Sequence, residues 1–262
     1  MTKDFLQMVV RQIHWLAFNR GLPDKIALYL HNLESPAQKV LEPVVQGLRE
    51  QQYRFLTISD YAKAPEGRCA MITFDDNFRT WHDALPWLKK LDLPATFYVN
   101  TLPFRDRASR EVIEDYYTRI GHTGDRIPLS TSELCALADA GHEIGAHSHS
   151  HFNLAALPER EAHEEIRRNK EELEQIIGRP VLHFAYPSGM RRYFTPALAA
   201  YCHEIGFQTV AAGIPGLLHH PFQDGLINRS PIKEGRSYTY LMRCLKVNGQ
   251  CFERLTGRSA VG

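Results

Sequence analysis

The chain has 262 residues, of which 44% are hydrophobic and 23% are charged, as in an ordinary globular protein. This length suits one large α/β domain better than two small ones, so we expect residues 1–262 to form a single domain. The formal net charge of +1 gives no strong field that would attract nucleic acid, and we exclude nucleic acid as a partner.

The N-terminal segment, residues 1–22, is predicted to be an amphipathic helix, because apolar residues recur on one face over residues 3–19. Lys3, Arg11 and Arg20 lie among the polar positions, so the helix either packs on the domain or rests on a membrane surface. No secretory signal and no apolar run of 18 residues is evident. We therefore expect a cytoplasmic protein, with peripheral contact to the inner membrane face as one alternative.

Strands and helices are predicted to alternate along the rest of the chain. Short apolar or β-branched runs predict strands at residues 26–30, 53–56, 69–74, 95–99, 141–146, 181–186 and 207–211. Apolar residues at helical spacing predict helices at residues 36–51, 79–91, 131–140, 158–177, 195–205 and 238–255. This alternation indicates parallel pairing, and on strand number alone a barrel and an open sheet both remain open.

Residues 100–129 break this rhythm, because the segment is long for a connection between a strand and a helix. We interpret it as an insertion over the active face that contains a helix at residues 109–119. The alternative is a solvated surface loop.

Two adjacent carboxylates, Asp75 and Asp76, follow the strand at residues 69–74. Sites in α/β folds are built at this end of a strand. Because adjacent strand residues point to opposite sides, the two carboxylates need not share one role. The alternative is that one of them caps the next helix and the other is solvated.

Three histidines, His147, His149 and His151, follow the strand predicted at residues 141–146. On a helical turn His147 and His151 would lie on one face and could bind one metal ion, with His149 pointing elsewhere. Two imidazoles and one carboxylate make an open three-ligand site, which leaves the second carboxylate free to act as a base toward water. A chance surface cluster is the alternative.

Three motifs in this chain match one known family. Residues 73–76 (TFDD) match its T-F-D-D motif, residues 143–151 (EIGAHSHSH) match E-I-G-x-H-[ST]-x-[ST]-H, and residues 184–189 (FAYPSG) match F-A-Y-P-x-G. From about residue 25 to residue 232, the chain therefore resembles a polysaccharide deacetylase of carbohydrate esterase family 4, the group with the nodulation-type deacetylase domain.

The resemblance implies a deformed (β/α) barrel with about seven parallel strands, and a divalent metal ion for which Zn²⁺ is the expected identity. The roles implied are general base for Asp75, metal ligand for Asp76, His147 and His151, and oxyanion or substrate contact for Ser188 and Tyr186. A backbone N–H near Ser188 would help to hold the oxyanion. This ligand set also accepts other divalent ions.

Two family features have no direct match. Ala185 stands where many members carry an arginine that orients the base, and Arg229 is a candidate substitute; a surface salt bridge is the alternative for Arg229. The late histidine motif that supplies the general acid also lacks a clean match. Some relatives place that histidine on a strand before T-F-D-D, and His31 fits this order. The alternative for His31 is a hydrogen-bonded residue at a strand end.

The predicted function is metal-dependent hydrolysis of an N-acyl group, by resemblance an N-acetyl group on an amino sugar of a polysaccharide or glycan precursor. The predicted partner is thus an N-acetylated carbohydrate, and for a cytoplasmic enzyme a lipid-linked or nucleotide-linked sugar. A hydrolase of small non-sugar amides is one alternative. A carbohydrate-binding protein that has lost catalysis is another, although binding alone does not need the retained Asp75.

Overall fold

The computed structural model describes residues 21–63, 66–216, 218 and 225–246. Residues 1–20 lie outside the described residues, so the N-terminal helix and its membrane contact stay predictions. The same holds for residues 247–255 of the predicted last helix. Among the helices that are described, none is long and apolar enough to cross a membrane.

All the strands in the described residues belong to one parallel sheet. They are β1 Lys25–Leu30, β2 Arg54–Phe55, β3 Cys69–Asp76, β4 Thr96–Val99, β5 Glu143–Ala146, β6 His183–Ala185, β7 Thr209–Ala212, β8 Leu226–Asn228 and β9 Ser230–Pro231. The order across the sheet is β8-β7-β6-β5-β4-β3-β1-β9, and β2 pairs with the beginning of β3. The seven predicted strands are all present.

The two short strands that were not predicted close the sheet. Only Arg229 separates β8 from β9, yet β8 pairs with β7 while β9 pairs with β1 at the other end of the order. One segment, residues 226–231, therefore bridges the two ends. Counted as one strand, it gives a seven-stranded parallel barrel with β2 as an addition. The deformed barrel that the resemblance implied is confirmed, and an open sheet is excluded.

Helices cover the outside of this barrel. They are α1 Ser35–Glu50, α2 Ile58–Ala62, α3 Thr80–Asp83, α4 Leu85–Lys90, α5 Arg110–Arg119, α6 Thr131–Asp139, α7 Glu159–Ile177, α8 Pro196–Glu204 and α9 Tyr238–Lys246. The single helix predicted at residues 79–91 was wrong. It is two short helices, and the second restarts with Pro86, which cannot donate a backbone hydrogen bond, in its first turn. The five-residue helix α2 was not predicted.

Alternate residues along each strand face opposite sides. Ile26, Leu28 and Leu30 of β1 join the large core between barrel and helices, whereas Ala27 joins a smaller cluster with Met71 and other inward residues. By the same alternation Asp75 and His31 lie on the inward side, at the carboxyl ends of β3 and β1. His31 and Asp75 lie at the same height along the two strands, because the residues before them, Leu30 and Phe74, are paired.

Candidate active site

The end of β3 holds both carboxylates out of solvent. Asp75 and Asp76 are 5% and 4% exposed, so neither is a solvated side chain. No described side chain caps the next helix, which begins at Thr80. The alternative of one helix cap and one solvated carboxylate is therefore wrong. Asp76 has a φ of +87°, an uncommon conformation for a residue other than glycine, and it turns the chain at the strand end.

Asp76, His147 and His151 converge on one point. The Oδ1 atom of Asp76 lies 3.5 Å from Nε2 of His147 and 3.3 Å from Nε2 of His151. One ligand atom from each residue lies within 4.8 Å of the other two. Bonds of about 2.1 Å in a tetrahedral arrangement place ligand atoms about 3.4 Å apart, which is close to the observed spacing.

The surroundings of these three side chains fit a divalent metal ion. Asp76 Oδ1 is buried and has no hydrogen-bond partner among the described residues. Nδ1 of His147 lies 2.6 Å from the carbonyl oxygen of Ala185, which places the proton on Nδ1 and leaves Nε2 free as a ligand. A carboxylate oxygen and two imidazole nitrogens are a donor set that zinc accepts.

The charge of Asp76 is set by two opposing effects. Burial alone would raise the pKa of its carboxyl group, but the adjoining imidazoles of His147 and His151 hold that pKa well below its usual value. The residue is therefore a carboxylate at neutral pH, as a metal ligand must be.

The histidine segment reaches this geometry without a helix. Residues 147–153 form an irregular loop, so the helical turn that we considered for His147 and His151 was wrong. Ser148 and His151 have φ values of +65° and +63°, and the hydroxyl of Ser148 accepts a hydrogen bond from the backbone N–H of His151. His149 points elsewhere, as expected, with Nδ1 2.9 Å from Oγ1 of Thr101.

Arg229 forms a buried, two-pronged ion pair with Asp75. Its Nη1 and Nη2 atoms donate to Oδ1 and Oδ2 of Asp75 at 2.6 and 2.8 Å. Nη1 also donates to Oγ1 of Thr73, and Nε donates to the carbonyl oxygen of Ala212. Arg229 is 1% exposed, so the surface salt bridge considered for it is excluded.

Two tyrosines that sequence reasoning did not select line this pair. The guanidinium of Arg229 lies 4.9 Å from the ring centre of Tyr29 and 5.0 Å from that of Tyr98. The inward alternation of β1 and β4 was the signal that could have found them. Burial alone would raise the pKa of Asp75, but the charge and hydrogen bonds of Arg229, together with the nearby His147 and His31, outweigh it, and the net pKa is lowered. Asp75 therefore stays ionised at neutral pH.

His31 lies at the exposed rim of the barrel beside these carboxylates. The pairing of Leu30 with Phe74 places His31 level with Asp75, at the carboxyl ends of β1 and β3. Nε1 of Trp81 donates to the His31 carbonyl oxygen at 2.6 Å, and the ring of Tyr29 contacts the imidazole edge-on at 5.8 Å. The histidine is thus held at its backbone while its side chain stands at the rim.

The third motif forms the turn after β6. Ser188 is exposed with a φ of +65°. Tyr186 is buried, donates its hydroxyl to the Gly189 carbonyl oxygen at 2.9 Å and stacks on Phe194. These contacts give Tyr186 a part in shaping the turn, and the oxyanion and substrate roles of both residues stay predictions.

The family model for polysaccharide deacetylases matches residues 62–210, which is more than half of the chain. The chain belongs to the polysaccharide deacetylase family.

Individual relatives are more distant. A putative polysaccharide deacetylase of Bacillus subtilis (strain 168), YxkH, is 25% identical over 187 residues, which cover 68% of this chain and 59% of that protein. The chain thus matches over little more than half the length of that relative. Streptococcus pyogenes deacetylase PplD, solved with acetate, aligns with a TM-score of 0.67 at 17% identity over 86% of this chain and 97% of its own. IcaB from Ammonifex degensii gives a TM-score of 0.65 at 19% identity over 87% and 98%. At these identities the two structures support the fold alone.

Proposed function

We propose that this chain is a metal-dependent hydrolase that removes an N-acetyl group from an amino sugar in a polysaccharide or glycan precursor. The observation that carries the proposal is the convergence of Asp76, His147 and His151 beside the buried pair of Asp75 and Arg229. The family assignment supports deacetylation as the reaction and an acetylated carbohydrate as the substrate class.

The residues of the site divide the work of amide hydrolysis among them. Asp76, His147 and His151 would hold the divalent ion, with Zn²⁺ as the ion that we propose. When bound, such an ion lowers the pKa of water and polarises a carbonyl oxygen. Asp75 accepts the proton of the water that attacks the amide carbon. Arg229 keeps Asp75 oriented and, before this transfer, ionised.

Two further groups complete the reaction. A backbone N–H at the turn of Ser188 donates to the oxyanion. His31, at the rim, donates a proton to the departing amine nitrogen when its bond to the acyl carbon breaks. One water and one amide are thus converted to acetic acid, which ionises to acetate, and a free amine. Asp75 then releases its proton to solvent, and His31 regains one from solvent.

An acetate-release assay tests this proposal against its rivals. The full chain, loaded with Zn²⁺, should release acetate from N-acetylglucosamine oligosaccharides, and Asp75→Asn should lower the rate by about 10²–10⁴-fold with its zinc content unchanged. Release from small non-sugar N-acetyl amides alone would support the alternative amidase. Zinc and oligosaccharide binding with no acetate release from any substrate would support the binding protein instead.

A further inference from the structure

Helix α5 lies within the 100–129 segment and directs three hydrogen-bond donors at the scaffold of the proposed metal centre. The donors are Tyr116, Tyr117 and Arg119, in its C-terminal half. Both tyrosines are fully buried, so this part of the segment is not a solvated loop. Each donor is connected to the backbone at or beside a different one of the three proposed ligands.

Tyr117 forms a hydrogen bond at the end of the strand that carries Asp76. Its hydroxyl donates to the carbonyl oxygen of Asn77, the next residue in the chain, at 2.8 Å. The side chain of Asn77 in turn donates to the carbonyl oxygen of Asn100 and accepts from the N–H of Leu129. Asn77 directly follows Asp76, whose φ is positive. Both the backbone and the side chain of Asn77 are therefore hydrogen-bonded to the 100–129 segment.

Tyr116 is connected to the backbone of His147 by hydrogen bonds through one intermediate residue. Its hydroxyl donates to Oδ1 of Asn100 at 2.8 Å. Nδ2 of Asn100 donates to the carbonyl oxygens of His147 at 2.5 Å and of Ser148 at 2.9 Å. Tyr116, Asn100 and Ser148 are all 0% exposed, so no water competes for these bonds.

Arg119 contacts the residues on either side of His151. Its Nη1 donates to the carbonyl oxygen of Ser150 at 2.7 Å, one residue before the ligand. Its guanidinium also covers the ring of Phe152, one residue after the ligand, at 4.2 Å from the ring centre. Arg119 thus contacts both chain neighbours of His151, Ser150 through its backbone carbonyl group and Phe152 through its side-chain ring.

We propose that helix α5 is a positioning element that holds the backbones of all three metal ligands in register. This inference rests on the proposed function. The backbone at these ligands needs support from its surroundings. Asp76, Ser148 and His151 have positive φ values, which residues other than glycine keep only when surrounding contacts hold them. Contacts of this outer kind set the orientation of ligands and thereby the affinity for the ion.

The hydroxyl groups are suited to this work. Burial raises the pKa of Tyr116 well above its usual value, with the charge of Asp76 adding to the effect. The phenol is therefore a fixed hydrogen-bond donor at any pH at which the protein is handled.

Removal of the Tyr116 hydroxyl alone tests the inference. We expect Tyr116→Phe to bind Zn²⁺ about 10–100-fold more weakly than the wild-type chain, measured by competition with a chromogenic chelator. Tyr53→Phe is the matched control, since Tyr53 is also buried and donates to a backbone carbonyl, that of Pro23, at the opposite end of β1. It should bind Zn²⁺ as the wild type does. The unfolding midpoint of each metal-free variant separates loss of stability from loss of affinity.

The outcomes are distinguishable. Wild-type zinc affinity in folded Tyr116→Phe would overturn the positioning role. If that variant does not fold, Tyr117→Phe and Arg119→Met carry the same expectation, and wild-type affinity in both would overturn it. Equal zinc binding by the wild type and Asp76→Ala would instead remove the metal centre, and with it the proposed function.

Discussion

Replacement of Arg229 by methionine removes the partner of the buried Asp75 carboxylate. Methionine is of similar length, but it loses the four hydrogen bonds that Arg229 donates, two of them to Asp75. Breaking a buried pair by removing one partner costs about 3–5 kcal/mol, since the other charge stays buried and unpaired. At roughly 2–4 °C per kcal/mol for a domain of this size, the Tm should fall by on the order of 10 °C.

Urea unfolding at neutral pH of the wild type, Arg229→Met, Asp75→Asn and the double variant measures the pair directly. We expect the double variant to be less destabilised than the sum of the single variants by more than about 1 kcal/mol. Arg229→Lys should recover only part of the loss, because an ammonium group cannot make the paired contacts. Strictly additive effects, or a cost below about 1 kcal/mol for Arg229→Met, would refute the reasoning.

Three further outcomes are expected. Gly145→Ala should lose about 1–3 kcal/mol in urea unfolding, because its Cβ would lie 2.5 Å from the ring of Tyr98; unchanged stability would contradict this packing. Burial alone would raise the pKa of Glu133, but hydrogen bonds from Arg105 and from the N–H of Ser130 lower it to about 2. The stability that this lowered pKa contributes is present above the unfolded-state pKa of about 4.3 and is lost as the pH falls toward about 2, so wild-type stability should fall more steeply there than that of Glu133→Gln. Parallel curves would count against the ion pair. Dialysis against a chelator should abolish acetate release and lower the Tm, with both restored by Zn²⁺; full activity after dialysis would exclude metal dependence.

The parts of the fold that follow from local pattern could be predicted. The run at residues 69–74 is apolar and short, and it became the fully buried strand β3. The helix predicted at residues 109–119 is present as α5. The carboxylates and histidines could be selected as site residues because they follow predicted strands, and the local pattern shows where those strands end.

What local pattern could not supply is the pairing of distant residues. Arg229 is 154 residues from Asp75, and nothing in its own neighbourhood distinguishes a buried partner from a surface one. The strands beside it, β8 and β9, have three and two residues, too few for a periodicity to appear.

The conformation predicted for residues 147–151 was wrong for a related reason. Four-residue spacing suggested a helical turn, whereas the observed loop has positive φ values at Ser148 and His151, which are uncommon for residues other than glycine. The contacts of Tyr116 with Asn100 were likewise invisible, because they depend on how the 100–129 segment folds back.

The convergence of Asp76, His147 and His151 on one ion is the claim on which the proposed chemistry depends. Anomalous diffraction at the zinc edge from crystals of the zinc-loaded protein measures it most directly. We expect one strong peak within about 2.0–2.2 Å of a carboxylate oxygen of Asp76 and of Nε2 of both histidines. A zinc peak bound elsewhere, with none between these three side chains, would contradict the account.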